Sequence, residues 1–506
     1  MPPATTQSTS APRQHGDLAV LVALSAAFAL LHIATNGRYG FHRDEWQFLS
    51  EASHMDWGFV AFPPLDPFLQ HIGLSLFGLS LVGLRMFSVL AQAVALVVVG
   101  LMVRDLGGRR WAQVTALLCV GLSPLPMFNA TEFQYTSFEF LWIVLASYFV
   151  IRLLKTENPR WWLAIGAVLG LGMLTKYAIT FFIAGILAGL VLTRARSYLL
   201  SKWFWAGVGL ALLLFLPNFL WLVHHDFISY TFLQHIHARD VRQGRATGFL
   251  RDQLLICINT GAAPIALAGL ILFLRSARYR MLAFMYLVPF AMFWIGKGRG
   301  YYVAGVYPML IAMGAVGFES WLARLSTWKS RAVQVVFFTN LAVVGAYAAA
   351  LVLPLASSGP LRDFALRNNG DMREEFGWHE LVRTVAGIRD SLTPEQKAHL
   401  GISAWNYGEA GSLELLGKDY GLPRPFTTTN TGWLRGYPTP QPTTIIVVGL
   451  SHEDADELFT ACHWAGHNGN SENIRNEESA DHPDIFVCGP PRLSWPEFWK
   501  KYRAFG

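Results

Sequence analysis

The sequence predicts an α-helical, polytopic membrane protein with a small α/β domain at its C-terminal end. Three observations carry that expectation. Of the 506 residues, 53% are hydrophobic and only 15% charged, whereas an ordinary soluble chain is nearer a quarter charged. Long apolar runs alternate with short basic clusters as far as residue 355. Beyond residue 356 the chain turns charged, polar and proline-rich. The formal charge of +6 lies in the clusters between apolar runs and forms no basic stripe on a soluble segment, so no nucleic-acid partner is expected.

Met1 to Gly16 is rich in Pro, Ser and Thr, and residues 1–17 read as a cytoplasmic tail. The apolar run Leu18 to Ile33 has only Arg13 as a basic flank. It ends in Ala34-Thr35-Asn36-Gly37 without a small-x-small cleavage site, so it reads as a retained first span and signal anchor. A hydrocarbon core takes about 20 apolar residues per helix. On that ruler about eleven spans are expected: 18–35, 81–103, 111–129, 138–154, 161–174, 177–193, 203–223, 252–274, 281–295, 301–322 and 332–355. The stretch around Thr175-Lys176 reads either as two short helices or as one long kinked one.

Charge orients these spans. With the N-terminus inside, the inner loops carry Arg104/Arg109/Arg110, Arg152/Lys155/Arg160, Arg194/Arg196/Lys202, Arg275/Arg278/Arg280 and Arg324/Lys329/Arg331, as the positive-inside rule requires. Merging the two halves around Lys176 would invert everything downstream and spoil that pattern. The chain then divides into a membrane domain, 18–355, with its first outer loop at 36–80, and an extracytoplasmic domain, 356–506. The latter is long enough for one modest core. Within it Thr444 to Val448 reads as a buried strand, Glu453 to Ala461 as a helix and Asp484 to Cys488 as a second strand.

This orientation leaves Arg38, Arg43, Lys176, the Arg239/Arg242/Arg245/Arg251 group, Lys297 and Arg299 outside, against the rule. A phosphate-bearing substrate on the outer face would account for them, because Arg and Lys are the usual phosphate partners. Solvated loop charge explains most of the 239–251 group, but Lys176, Lys297 and Arg299 hug span ends.

The segment Phe41-His42-Arg43-Asp44-Glu45-Trp46 follows the first span. Charges are costly beside lipid, so an acid pair there points to work on a polar substrate. A carboxylate in this place could accept a proton, bind a metal, orient a substrate or cap a helix. Adjacent acids point in different directions, which gives Asp44 and Glu45 separate roles. The stretch Asp56 to Leu65, with Trp57 and Phe59, fits an interfacial helix stopped by Pro63 and Pro64. Glu132 and Glu139 flank the second outer loop, where an acid could meet Asp44. His224-His225-Asp226, His235 and His237 are metal-ligand residue types, but their spacing matches no standard zinc site. Cys119 and Cys257 read as packing residues; Cys462 and Cys488 could pair in an oxidising compartment.

One resemblance ties these segments together. Arg43-Asp44-Glu45 after the first span, Asp56-Trp57-Gly58-Phe59-Val60 before Pro63-Pro64-Leu65, Leu174-Thr175-Lys176-Tyr177, and Gly298-Arg299-Gly300-Tyr301-Tyr302 with Tyr307-Pro308 occur in order. Cys488-Gly489-Pro490-Pro491-Arg492 with Trp495-Pro496 closes the series. The pattern resembles the bacterial branch of the protein-mannosyltransferase-like glycosyltransferases, which are GT-C class membrane enzymes related to the lipid A aminoarabinose transferase. The turn departs from that pattern in Phe62, where a polar residue often precedes the prolines, and in Asp66.

The resemblance implies a GT-C-like fold in the bacterial inner membrane. It also implies an inverting transfer of a hexosyl or pentosyl group from a polyprenyl-phosphate donor to a hydroxyl-type acceptor on the extracytoplasmic face. The acceptor is a glycolipid, a cell-wall glycan or a protein. Asp44 is expected to be the catalytic base, with Glu45 beside it for substrate or metal contact. Lys176, Lys297 and Arg299 are expected to neutralise the departing lipid phosphate, with His42, Arg43, Glu132, Tyr177, Tyr301 and Tyr302 as further substrate contacts. No metal ligands are assigned, and a divalent cation remains an open option. The rival class is a transporter or lipid flippase, which would show mid-bilayer charges on broken helices and repeated halves. A non-catalytic membrane subunit is a third reading.

Overall fold

A computed structural model describes residues 11–506, with side chains from residue 17. Of the expected tail, 1–17, residues 1–10 lie outside the described residues, and 11–17 belong to the first helix, Ala11–Thr35, instead of to a separate tail. The chain is a multi-pass membrane protein. Among the described residues six helices are long and apolar enough to cross a bilayer: Asp17–Thr35, Leu81–Asp105, Tyr135–Thr156, Lys202–His224, Gly300–Leu322 and Thr327–Val352. Two sharply bent pairs, Ile179–Leu192 with Arg194–Leu200 and Phe249–Cys257 with Thr260–Arg275, raise the number to eight. Each of the eleven expected spans is helical, but Arg110–Gly121, Trp161–Met173 and Arg280–Ile295 are short. The sequence-based count of eleven therefore exceeds what length and composition support. The physical reason lies at the breaks. Ser123-Pro124 splits one stretch, and Asn259 holds a bend, its Nδ2 donating to the carbonyls of Leu122 and Leu341. Around Thr175-Lys176 the chain forms two short helices, Trp161–Met173 and Ile179–Leu192.

The segment 36–80 folds as two helices joined by irregular chain. Its amphipathic helix is Arg43–Ala52, and a second helix, Leu65–Phe77, begins after Pro64. The expected interfacial helix over Asp56 to Pro63 is irregular chain instead. Tertiary contacts pin it there: Val60 N–H donates to Thr431 Oγ1 at 3.1 Å and Ser229 Oγ donates to the Phe59 carbonyl at 3.1 Å, with Phe59 and Val60 fully buried.

The C-terminal part carries a four-stranded sheet, β1 (Leu400–Ala404), β2 (Thr444–Val448), β3 (His463–His467) and β4 (Asp484–Cys488), in the order β1-β2-β4-β3. β1 and β2 are parallel, and β4 runs antiparallel to both of its neighbours. The two predicted strands are β2 and β4, and the predicted helix is His452–Leu458. Cys462 and Cys488 form a disulfide. One face of the sheet packs on a core that also contains Phe41, Trp46, Leu49 and Leu84, so the first outer loop and the C-terminal part bury their apolar side chains together.

Glu409, fully buried in the helix Tyr407–Leu416, gives this region a pH dependence. Burial raises its carboxyl to about 8, against the smaller effect of hydrogen bonds from Asn406 and Trp405. A carboxyl raised on folding contributes stability that is fully present below the unfolded value near 4.5 and is lost as pH rises through about 8. Thermal unfolding in detergent is therefore expected to weaken between pH 5 and 8.5, by about 3–5 kcal/mol in full. Glu409→Gln keeps the capping box and should flatten the slope; an unchanged slope would show that Glu409 is not its source.

Candidate active site

Helix Arg43–Ala52 opens on a capping box. His42 Nδ1 accepts the Asp44 N–H at 3.1 Å, and the Glu45 carboxylate accepts the His42 N–H at 2.7 Å. The cap is thus His42 with Glu45, and the Asp44 side chain has no capping duty. Glu45 Oε1 accepts from Arg85 Nε at 2.9 Å and from Phe133 N–H at 2.8 Å; its Oε2 accepts from Arg85 Nη2 at 2.6 Å as well as from His42. Both carboxylate oxygens are filled and the side chain is buried. The expected substrate or metal contact at Glu45 is therefore not what the structure shows: its two oxygens are spent on holding the loop.

Asp44 is disposed differently. Its Oδ1 accepts from Tyr407 Oη at 2.8 Å and its Oδ2 from Gln134 Nε2 at 3.0 Å, with Arg43 Nε 3.8 Å away. Burial opposes its charge, but His42, Arg43 and the two donated hydrogen bonds outweigh that and hold the carboxyl down to about 2. Asp44 is an anion at every physiological pH.

Asp44 lines a cavity of about 580 Å³ shared by the membrane helices, the outer loops and the C-terminal part. Of the predicted residues, Arg43, Lys176, Tyr177, Lys297, Arg299 and Tyr302 line it too. Lys176 Nζ lies 3.4 Å from the Tyr135 ring centre and 4.7 Å from that of Tyr302, and among the described residues no carboxylate pairs with it. Burial lowers its pKa, with Tyr301 and Glu139 opposing. An anion placed beside it would favour the ammonium. Arg299 forms a bidentate pair with buried Asp240 at 2.7 and 2.8 Å, and its Nη1 donates to Tyr301 Oη at 3.3 Å; Tyr301 does not line the cavity itself but packs edge-on against the Tyr302 ring, 4.8 Å between centres. Lys297 sits at φ 53°, a left-handed conformation that costs a non-glycine residue on the order of 1 kcal/mol.

Other predicted residues lie elsewhere. His42 is buried as the helix cap. Glu132 is buried 3.7 Å from His42 Nδ1. Burial, then the charge of Glu45, raises its pKa well above the usual carboxylate range, and it does not line the cavity. The expected partner of Asp44 from the second outer loop is Gln134, two residues on. Arg239 and Arg245, read from sequence as solvated charge, also line the cavity. Among the described residues no group of three or more His, Cys, Asp or Glu could hold a metal, so His224, His225, His235 and His237 are not gathered into such a site. Sequence reasoning missed Tyr135, Tyr407 and Asp240, which line the cavity from distant segments, and Gln134, which holds Asp44. Tyr407 carried a local signal in Tyr407-Gly408-Glu409-Ala410-Gly411, whose two glycines mark a helix face suited to close packing.

Comparison with known proteins shows what the chain is similar to. Residues 62–221, about a third of the chain, match the dolichyl-phosphate-mannose-protein mannosyltransferase family. ArnT from Cupriavidus metallidurans, in its apo state, superposes with a TM-score of 0.59 at 14% identity, covering 94% of this chain and 98% of that one. The chain thus shares its fold with ArnT, and about a third of its sequence resembles the mannosyltransferase family. The same ArnT bound to undecaprenyl phosphate superposes with a TM-score of 0.56, again at 14% identity and with the same coverage. An Archaeoglobus fulgidus oligosaccharyltransferase is more distant, with a TM-score of 0.47 at 13% identity over 78% of this chain and 62% of that one. No curated protein matches the chain by sequence.

Proposed function

We propose that this chain is a glycosyltransferase that takes a sugar from a polyprenyl-phosphate donor and transfers it, with inversion, to a hydroxyl of a glycolipid, a cell-wall glycan or a protein at the extracytoplasmic face of a bacterial inner membrane. One observation carries the reading. The cavity holding Asp44 and Lys176 shares Phe181, Met292 and Gly296 with an apolar groove of about 550 Å³ between helices Ile179–Leu192 and Arg280–Ile295. A ligand with an anionic head and a long hydrocarbon tail fits that continuity, and the ArnT relative is known with undecaprenyl phosphate bound.

In the proposed reaction the acceptor hydroxyl gives its proton to an Asp44 oxygen as its own oxygen bonds to the anomeric carbon. The bond from that carbon to the phosphate oxygen breaks, and its electron pair leaves with the lipid phosphate. Lys176, Lys297 and Arg299 stabilise that charge. The membrane part, 18–355, holds the donor, and the part 356–506 closes the cavity from the extracytoplasmic side. The Cys462–Cys488 disulfide supports that side, because disulfides persist in oxidising compartments.

The test is transfer of labelled sugar from a polyprenyl-phosphate donor pool in membranes, with wild type and Asp44→Asn at matched expression. Transfer lost in the variant alone supports the reading. Equal transfer by both removes Asp44 from the mechanism, and no transfer by either, with donor and acceptor present, favours a transporter or flippase.

Lys176 supplies an independent check. Lys176→Met should weaken binding of undecaprenyl phosphate about 10- to 100-fold, the loss of one charge-assisted contact to phosphate. It should leave binding of uncharged undecaprenol within about twofold. An equal loss for both lipids would assign Lys176 to packing rather than to the phosphate.

A further inference from the structure

We infer that Tyr407 of the C-terminal part, with Gln134 of the second outer loop, forms a two-sided clamp that positions Asp44, so that the catalytic centre is complete only when the C-terminal part is docked. The inference rests on the proposed role of Asp44 as base. Each carboxylate oxygen has two lone pairs. Tyr407 Oη fills one on Oδ1 at 2.8 Å and Gln134 Nε2 fills one on Oδ2 at 3.0 Å. One lone pair on each oxygen remains for a proton arriving from the cavity, with the rotation of the carboxylate fixed.

The clamp is built by close helix packing. Helix Tyr407–Leu416 lies against helix Arg43–Ala52, and a Cβ at Gly411 would come within 2.4 Å of the Trp46 carbonyl oxygen. At Gly408 a Cβ would come within 2.5 Å of Arg43 Cγ. Any larger side chain at either position would push Tyr407 away from Asp44. Arg43 is tied to the same part: its guanidinium pairs with Glu477 and lies 3.5 Å from Glu478 and 3.8 Å from Glu374, while stacking 5.6 Å from the Tyr407 ring centre. The C-terminal part therefore holds both Asp44 and the residue before it.

The clamp should act on turnover and not on donor capture. Tyr407→Phe keeps the ring and its contact with Arg43 and removes one hydroxyl; Gln134→Leu removes the second donor from the membrane side. The experiment uses the full-length protein in membranes, supplied with labelled polyprenyl-phosphate sugar, and counts sites by bound undecaprenyl phosphate. Per site, each variant is expected to lose about 10- to 100-fold in transfer rate at saturating donor, the loss of one hydrogen bond to a charged group. The KM for donor should stay within about twofold, since each variant keeps the bulk of the side chain and removes only its hydrogen bond to Asp44. A variant that merely folded poorly would lose sites and keep its rate per site. Wild-type rates per site in both variants, with Asp44→Asn inactive, would overturn the clamp and leave the function standing. Full activity in Asp44→Asn would overturn both.

Discussion

Asp44→Asn should reduce sugar transfer by about 100- to 10,000-fold while leaving undecaprenyl phosphate binding unchanged, the range expected when a positioned proton acceptor is removed. Asparagine is nearly isosteric and can still accept from Tyr407 through its carbonyl oxygen. On the side of its NH₂ it presents donors to Gln134, whose amide can turn to offer its oxygen. The fold around residue 44 should therefore survive, and what disappears is a permanently ionised acceptor facing the cavity. Because Asp44 is held down to about 2, its titration sets no limb of the rate profile above pH 4. Any acid-side fall in transfer near neutral pH must come from another group. Parallel measurement of transfer and of lipid binding distinguishes loss of chemistry from loss of the site; if both fall together, Asp44 holds the donor instead of accepting the proton.

Arg85→Leu should be the most damaging substitution for assembly of the outer region. Arg85 is fully buried and donates to both oxygens of Glu45, to the carbonyls of Asn36 and Gly40 at 2.9 Å, and to Glu375 at 3.2 Å. It joins the second span, the loop that carries Asp44 and the C-terminal part at one point. Removing one partner of a buried ion network leaves charges uncompensated and costs about 3–5 kcal/mol, a large share of a typical domain's stability. The expected result is a thermal midpoint lowered by several degrees, or failure to recover folded protein in detergent. Glu45→Gln, which keeps hydrogen-bonding capacity, should do less harm. An unchanged midpoint for Arg85→Leu would show that the network contributes little.

Much of the candidate site was legible because chemistry near a membrane is conspicuous. Lys176, Lys297 and Arg299 stand out as basic residues on the wrong side, and Asp44 as an acid beside a span. The same logic would have found Arg85, a charge near the start of an apolar helix, Leu81–Asp105. It could not separate Asp44 from Glu45. The two acids are adjacent and chemically alike, and only the fold shows that one meets four donors in a buried network while the other faces a cavity. Glu132 was singled out as an outer-loop acid, yet it lies buried beside His42, and Gln134 makes the contact with Asp44. A shift of two residues in an irregular loop leaves no trace in hydropathy or charge.

Local sequence features were enough to show that this chain crosses a membrane many times, that a polar domain with two of its four strands recognisable follows the last apolar run, and that an acid and several cations stand at helix ends. Those features are local: hydrophobic length, alternation and charge placement are written in neighbouring residues. Only the tertiary structure decided that helix Arg43–Ala52 packs with the C-terminal part, that Tyr407 reaches Asp44 across 363 positions of sequence, and that Arg239 and Asp240 belong to the cavity. The reason is physical. Contacts between distant segments depend on how helices pack and where glycines permit close approach, and such packing is a property of surfaces brought together rather than of any one stretch of chain.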